Sequence, residues 1–253
     1  MTDAIDDQER APRPTTPPPG RVAAVVPAAG LGRRLGRRGP KPLVRLAGRP
    51  LLCWALADLQ AAGCLAEIVV VTRPDAITVV RQLAAAEGFT KVTGVVEGGP
   101  TRRASVAAGL AALTSAADWV AVHDASRPLA GPAMLDTLMQ VLAADGDSLA
   151  GVVPGLAVTD TVREVDAGGR SKGIVDRNRL RAVQTPQLFA RAALERAHSL
   201  AAGKGVETVD DSALVELAGG RVKVVPGAVG NLKVTTALDL AVAETIVARR
   251  AGA

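Results

Sequence analysis

From Val22 onward, short apolar runs alternate with segments of helical spacing, and this alternation constrains the fold more than any other feature. Each run is continuous in apolar character, as expected for strands covered on both faces. The runs comprise residues 22–26, 68–72, 92–96, 119–123, 149–153 and 222–225. Ligands of such sheets bind beyond the carboxyl ends of the strands, so a functional site is expected at the strand-to-loop junctions.

The segments between the runs carry signals for helix starts. Pro50 and Pro132 each suit the first turn of a helix. Asp75 is expected to cap a third helix, and Thr236 with Asp239 forms a capping-box pattern before a fourth. The predicted fold class is therefore α/β: a Rossmann-like three-layer sandwich with a mainly parallel sheet.

Two regions depart from this alternation. Residues 1–20 hold five prolines and a net charge of −2, which predicts a disordered Pro-rich tail before a domain at 21–253. Residues 156–180 contain alternating β-branched residues and an Asp-Ala-Gly-Gly turn signal, which predict a projecting β-hairpin arm. Because such an arm has little core of its own, we expect it to pack on a partner subunit and form a homodimer.

Composition limits the classes of function. The net charge of +5 leaves +7 beyond the tail, which suits nucleic acid, an anionic membrane or a phosphorylated ligand. Only two cysteines occur, Cys53 and Cys64, so we expect reduced thiols and neither a disulfide scaffold nor a cysteine-rich metal site.

Two Phe, two Trp and no Tyr argue against a protein that stacks nucleic-acid bases. No apolar run reaches ~18 uncharged residues, so no membrane helix is expected, and the lack of a signal-peptide pattern predicts a cytoplasmic location.

The first strand ends in a loop that predicts phosphate binding. Its small residues allow close backbone approach to an anion. The loop comprises Pro27, Ala28, Ala29, Gly30, Leu31 and Gly32. It fits neither a Walker loop nor a dinucleotide fingerprint, because no Gly-Lys-Ser/Thr follows and Leu35 replaces the third glycine.

A run of cations follows this loop. It places Arg33, Arg34, Arg37, Arg38 and Lys41 within nine residues. The ordinary explanation of such a run is a solvated basic loop or a nucleic-acid patch. Its attachment to a glycine loop at a strand end favours a polyphosphate ligand instead, since fixed cations stabilise charge that develops during phosphoryl substitution.

Later junctions carry further candidate residues. Asp124 ends the fourth run and either caps a turn or binds Mg²⁺, which is commonly held by one carboxylate with substrate phosphate oxygens and water. His123 beside it is expected to have a structural role, and His198 is expected on a helix surface. The pair Asp210-Asp211 either caps a helix or orients Lys233.

Several separated segments together resemble the 2-C-methyl-D-erythritol 4-phosphate cytidylyltransferase family, a branch of the sugar-phosphate nucleotidyltransferases. The resemblance covers about 21–250. The segments are PAAGLGRRLGRRGPKPLVRLAGRPLL, GGPTRRASVAAGL, VHDASRPL, TDTV, VDRNRLRAVQTPQLF, DDSALVE and NLKVTTALDLAVAE. The resemblance implies a transferase of the non-mevalonate isoprenoid pathway that uses CTP, a polyol phosphate and Mg²⁺ or another divalent cation.

The resemblance also implies residue roles. Arg34 and Lys41 would stabilise the transition state, Arg177 and Lys233 would position the acceptor, and Asp124 would bind the metal. CTP would contact the first loop (Pro27, Ala28, Ala29, Gly30, Leu31, Gly32, Arg33) and Gly98, Gly99, Arg102, Ser105, Ala125 and Ser126. The acceptor would contact Arg127, Thr161, Arg177, Thr185, Val209 and Lys233, with Thr161 and Arg177 reaching across a dimer interface.

The chain departs from the family pattern at four positions. Pro100 stands where relatives often have an acid, so Arg102 is expected to lack a usual partner. Gly230 stands where some relatives have an acid. Ser126 replaces a common Ala, and Val209 replaces the first residue of a Thr-Asp-Asp pattern.

Two alternatives remain open. Because Val209 departs from the family pattern, the chain could instead be a ribitol-5-phosphate or other polyol-phosphate cytidylyltransferase. A non-enzymatic nucleic-acid binder would show strongly salt-dependent binding, but it leaves Asp124, Arg177 and Lys233 unexplained.

Overall fold

The structure is a computed structural model that describes residues 22–32, 35, 39–145, 148–208 and 210–251. The predicted tail at 1–20 lies outside the described residues. So do four of the five cations after the first loop, Arg33 and Arg34 among them, and Val209.

An eight-stranded, mainly parallel sheet forms the centre of the described chain, as predicted. Its strands are β1 (Val22–Pro27), β4 (Leu65–Thr72), β5 (Val92–Glu97), β6 (Trp119–Val122), β7 (Gly151–Ala157), β10 (Arg181–Val183), β11 (Gln187–Ala190) and β12 (Val222–Pro226). The strand order is β10-β7-β11-β6-β1-β4-β5, and β12 pairs in parallel with β7. Two short strands, β2 (Arg45–Leu46) and β3 (Arg49–Pro50), form a separate hairpin.

Helices cover both faces of the sheet. They are α1 (Leu51–Ala61), α2 (Ile77–Ala86), α3 (Arg102–Ala111), α4 (Ala133–Asp145), α5 (Arg191–Lys204), α6 (Asp211–Leu217) and α7 (Ala237–Ala251). Side chains of β1 alternate between two buried clusters. Val22 and Val26 pack with α1, α2 and α4, whereas Ala23 and Val25 pack with α3, α5 and α6. The three-layer sandwich is therefore confirmed.

A third buried cluster lies around Leu46, Leu51, Leu129, Val234 and Leu240. It joins the β2–β3 hairpin to α7 and to the loop after β6. The segments that precede β2 and α7 carry Lys41 and Lys233, so this cluster fixes the two chain segments on which both lysines stand.

The predicted arm is present as an antiparallel hairpin of β8 (Val162–Val165) and β9 (Ser171–Val175), separate from the central sheet. Asp166 holds its turn, since its amide donates to Arg170 O at 2.9 Å and its carboxylate accepts from two backbone amides. Val165 and Ile174 on the arm are 53% and 68% exposed. The hairpin is confirmed, and its packing on a partner remains a prediction.

Several local predictions need correction. The run at 149–153 corresponds to β7, which begins at Gly151 and runs to Ala157. The antiparallel strands β10 and β11 were not predicted, because three and four residues are too few to show a period. Asp75 caps no helix; it lies in a 3₁₀ turn, Pro74–Ala76, and its carboxylate accepts from Arg73 at 3.0 Å.

Other predictions hold for the described residues. Pro50 directly precedes α1, and the Thr236–Asp239 capping box forms through reciprocal bonds of 2.8 and 3.2 Å. Cys53 and Cys64 are free and buried. None of the helices within the described ranges has the length and hydropathy needed to cross a membrane.

Candidate active site

A pocket of about 340 Å³ opens beyond the carboxyl ends of β1, β5 and β6, where the parallel sheet predicts it. Most of the residues that the resemblance assigns to the nucleotide, among those the structure describes, line it, together with Lys41 and Lys233. The lining comprises Pro27, Ala28, Ala29, Gly30, Lys41, Pro42, Gly99, Pro100, Thr101, Arg102, Ser105, Asp124, Ala125, Ser126 and Lys233. Leu31, Gly32 and Gly98 flank the lining residues in sequence.

The first loop brings Lys41 back to the strand end. Lys41 N donates to Gly30 O at 2.9 Å. Gly32 has a φ of 63°, and a Cβ there would lie 3.2 Å from Lys41 Cβ. Glycine is therefore favoured at position 32, because its φ is positive and a Cβ would be tight against Lys41. The result is a cationic side chain beside a backbone loop able to approach an anion closely.

The opposite wall is built from the start of α3. Thr101 caps this helix by accepting from Ala104 N at 3.1 Å. A Cβ on Gly99 would lie 2.4 Å from Ala104 Cβ, and one on Gly98 would lie 2.8 Å from Ser105 Oγ. Sequence reasoning missed Thr101, although a threonine directly before a helical segment is a recognised N-cap signal.

Asp124 lies on the pocket floor between two cations. Its Oδ2 accepts from Lys233 Nζ at 2.5 Å, and its Oδ1 lies 3.4 Å from Arg102 Nη2. Burial alone would raise the pKa of Asp124, but Arg102 and Lys233 outweigh it and lower the pKa to about 2. Asp124 is therefore ionised throughout the neutral range.

A buried hydrogen-bond chain fixes the backbone of Asp124. Its amide donates to Thr185 Oγ1 at 2.9 Å, and that hydroxyl lies 3.1 Å from His123 Nδ1. His123 Nε2 contacts Arg127 O at 3.1 Å, so Nε2 carries the proton and Nδ1 accepts from Thr185. Burial lowers the pKa of His123 to about 4. The geometry agrees with the structural role expected for this histidine.

The residues predicted for the acceptor lie in different places. Thr185 is buried beneath Asp124. Arg127 donates to two carbonyls, Asn231 O at 2.8 Å and Val183 O at 3.1 Å. Thr161 and Arg177 lie at the base of the arm and do not line this chain's pocket, and the Arg177 guanidinium donates to Thr159 O.

One prediction about the pocket surroundings is wrong. His198 is not on a helix surface: it is 4% exposed, and its Nε2 lies 3.0 Å from Asp211 Oδ1. Arg102, for which Pro100 offers no acid, pairs with Asp211 instead: its Nη1 donates to Asp211 Oδ2 at 2.6 Å. The packing of α5 against α3 and α6 creates both contacts, and local sequence cannot report such packing.

The open question about the acidic pair is also resolved. Asp210 caps α6 by accepting from Ser212 N at 2.8 Å. Lys233 contacts the carboxylate of Asp124. The capping interpretation is therefore confirmed for Asp210.

The described residues contain no group of three or more His, Cys, Asp or Glu placed to hold a metal ion. Asp124 is the carboxylate that lines the pocket. A lone ionised carboxylate fits Mg²⁺, which keeps several waters and takes its other ligands from substrate phosphates.

A three-layer α/β sandwich with a small-residue loop, cations and one ionised carboxylate beyond its parallel strands defines the class of nucleotide-binding α/β proteins. Comparison with known proteins specifies the family. The family model for 2-C-methyl-D-erythritol 4-phosphate cytidylyltransferase matches residues 22–249. The chain belongs to this family of cytidylyltransferases, which confirms the resemblance and the enzyme class predicted from the sequence.

Two relatives illustrate the match. The chain is 48% identical over 92% of its length to the bifunctional enzyme IspD/IspF of Clavibacter michiganensis, and it spans 56% of that protein's length. It is 43% identical to the 2-C-methyl-D-erythritol 4-phosphate cytidylyltransferase of Streptomyces avermitilis, covering 93% of this chain and 95% of that protein.

Solved structures agree. The crystal structure of the enzyme of the same name from Thermus thermophilus aligns with a TM-score of 0.70 at 35% identity, over 89% of this chain and 98% of that one. A 4-diphosphocytidyl-2C-methyl-D-erythritol synthase from Anaerococcus prevotii aligns with a TM-score of 0.78 at 26% identity, over 90% and 96%. The fold assignment is thus supported independently of the sequence motifs.

Proposed function

We propose that this chain transfers the cytidylyl group of CTP to 2-C-methyl-D-erythritol 4-phosphate, giving 4-diphosphocytidyl-2-C-methyl-D-erythritol and pyrophosphate in non-mevalonate isoprenoid biosynthesis. The observation that carries the proposal is the placement of Asp124, Lys233 and Lys41 around one glycine-lined pocket in a member of this family. These groups match a polyanionic nucleotide and a second phosphate.

The reaction requires one bond exchange at the α-phosphorus of CTP. An oxygen of the acceptor phosphate attacks in line, a new P–O bond forms, and the bond to the β-phosphate oxygen breaks. Because the attacking phosphate is already ionised at pH 7, no general base is required. Lys41 and Arg34 would stabilise the charge that develops on the α-phosphoryl oxygens.

The cytosine would bind between the first loop and the start of α3. Cytosine offers one exocyclic donor and two acceptors on its edge, so a few fixed polar groups can select it. The close approach of Gly98 and Gly99 to α3 supports a role for backbone groups, and Ser105 is 3% exposed there. No aromatic platform is needed, so the scarcity of aromatic residues is compatible with this mode of base binding.

Asp124 would hold Mg²⁺ or another divalent cation, with the remaining ligands from CTP phosphates and water. Such an ion neutralises phosphate charge when bound. Lys233 and Arg102 already compensate Asp124, so both cations would lie beside the substrate phosphates.

The acceptor would lie between Lys233 and the arm of a second copy. Thr161 and Arg177 do not line this chain's own pocket, which supports the proposal that they complete the pocket of a partner in a homodimer. The burial of Thr185 supports a positioning role beneath Asp124. A cytoplasmic location is proposed from the sequence alone.

An acceptor panel tests the proposal. The protein is incubated with CTP, Mg²⁺ and one polyol phosphate at a time, and pyrophosphate release is measured. We expect release with 2-C-methyl-D-erythritol 4-phosphate, and none when CTP, the metal or the acceptor is omitted. Faster turnover with ribitol 5-phosphate would instead establish the alternative that Val209 keeps open, and salt-sensitive nucleic-acid binding without turnover would contradict both.

A further inference from the structure

A chain of ion pairs and hydrogen bonds runs from the pocket into the protein interior. It leads from Asp124 through Arg102 to Asp211 and His198. Arg102 makes its short contact away from the pocket, at 2.6 Å from Asp211, and its long contact with Asp124, at 3.4 Å. Charge-assisted N–H···O bonds are usually about 2.7–2.9 Å long. Asp211 therefore anchors the guanidinium more firmly than Asp124 does.

Asp211 is held in turn by His198. Asp211 is 1% exposed and His198 is 4% exposed. One carboxylate oxygen accepts from Arg102 and the other from His198 Nε2, at 3.0 Å. A buried carboxylate is costly unless its oxygens are hydrogen-bonded. Both oxygens of Asp211 are thus occupied, and its orientation is fixed by helices α3 and α5.

We propose that His198 and Asp211 are positioning residues that hold the Arg102 guanidinium for CTP. The inference rests on the proposed function, because it assigns Arg102 to a pocket that binds CTP. With Asp211 fixed, Arg102 faces the pocket without turning fully onto Asp124. If His198 or Asp211 is replaced, the guanidinium moves toward the Asp124 carboxylate. Arg102 and Asp124 then both become less available to the nucleotide.

The test measures CTP binding directly by calorimetry in the presence of Mg²⁺. His198→Leu removes the donor to Asp211, whereas His198→Gln retains an amide N–H at a similar reach. We expect His198→Leu to weaken CTP binding about tenfold, the effect of losing one hydrogen bond to a charged group. His198→Gln should lose clearly less affinity than His198→Leu, because it retains a donor.

A matched control separates positioning from folding. Leu194→Ala removes a fully buried side chain from the same helix, so it should lower the melting temperature and leave CTP affinity unchanged. Asp211→Asn is a second variant of similar shape, and it should also weaken CTP binding. In turnover assays, KM for CTP should rise in the His198→Leu variant while KM for the acceptor stays constant.

The outcomes distinguish the two proposals. Unchanged CTP affinity in both His198→Leu and Asp211→Asn would overturn the positioning role and leave the proposed function intact. So would an equal loss of affinity in Leu194→Ala. If the unmodified protein binds no CTP, the proposed function and the positioning role both fail. If it binds CTP but uses another acceptor, the acceptor named in the proposed function is wrong. The CTP affinities of the variants then still decide the positioning role.

Discussion

At the residue scale, Lys41 lines the pocket because the first loop holds its backbone beside the end of β1. Lys41→Met keeps most of the side-chain stem and removes the charge. We expect pyrophosphate release to fall about 10²-fold or more, the usual cost of losing a group that stabilises transition-state charge. The melting temperature should not change. Lys223→Met, at an exposed ion pair with Asp145, is the control, and equal activity of the two variants would contradict the role of Lys41.

Thr185 offers a second residue-level test because its hydroxyl supports the Asp124 backbone. Thr185→Val keeps the shape and leaves the Asp124 amide and His123 Nδ1 without their partner. A buried polar group without a partner costs about 1–3 kcal/mol, so urea denaturation should show a loss of that size. Thr185→Ser, which retains the hydroxyl, should lose less. A normal stability for Thr185→Val, with only a raised KM for the acceptor, would favour direct substrate contact instead.

At the element scale, the sequence predicted what is local and missed what depends on packing. The apolar runs predicted the parallel strands because a strand that is buried on both faces is apolar along its whole length. The capping box at Thr236 was readable for the same reason. The antiparallel β11 was not, since four residues between Pro186 and Arg191 show no period. The contact between His198 and Asp211 depends on two helices meeting, so neither residue's neighbours could reveal it.

Glu67 on β4 links the neighbouring strand β5 and the segment after α3 to its own strand, and it gives a prediction about pH. It is 2% exposed and accepts from Thr93, from Thr114 and from Ser115 N at 2.8 Å. Burial raises its pKa, but the hydrogen bonds from Ser115 and Thr114 outweigh that effect and lower it to about 2. Its contribution to stability is therefore complete above the unfolded-state pKa near 4.5 and is lost as the pH falls toward 2.

Glu67→Gln should consequently lose about 2–3 kcal/mol of unfolding free energy at pH 7. The difference from the unmodified protein should shrink at pH 3, because the unmodified protein has lost part of the contribution there and the variant has none to lose. Denaturant titrations at the two pH values measure this. Glu97→Gln, at the exposed end of β5, should match the unmodified protein at both, and a constant difference for Glu67→Gln across pH would contradict the assignment.

At the scale of the whole molecule, the prediction concerns two copies of the chain. The arm exposes Val165 and Ile174 and stands apart from the central sheet. If each arm completes its partner's pocket, Lys41 and Arg177 of one active site come from different chains. Lys41→Met and Arg177→Ala should then each lose most of the turnover as homodimers, while Arg179→Ala, in the same 3₁₀ turn, should remain active.

Co-expression of the two inactive variants tests this arrangement. In a mixed dimer one site carries both defects and the other carries neither. Random pairing of equal amounts makes half of the dimers mixed, so about a quarter of the unmodified activity should return. Sites built within one chain would each keep one defect, and the mixture would then be as inactive as its parents. Sedimentation velocity of Ile174→Asp completes the test, since a shared site requires that loss of the dimer and loss of turnover occur together.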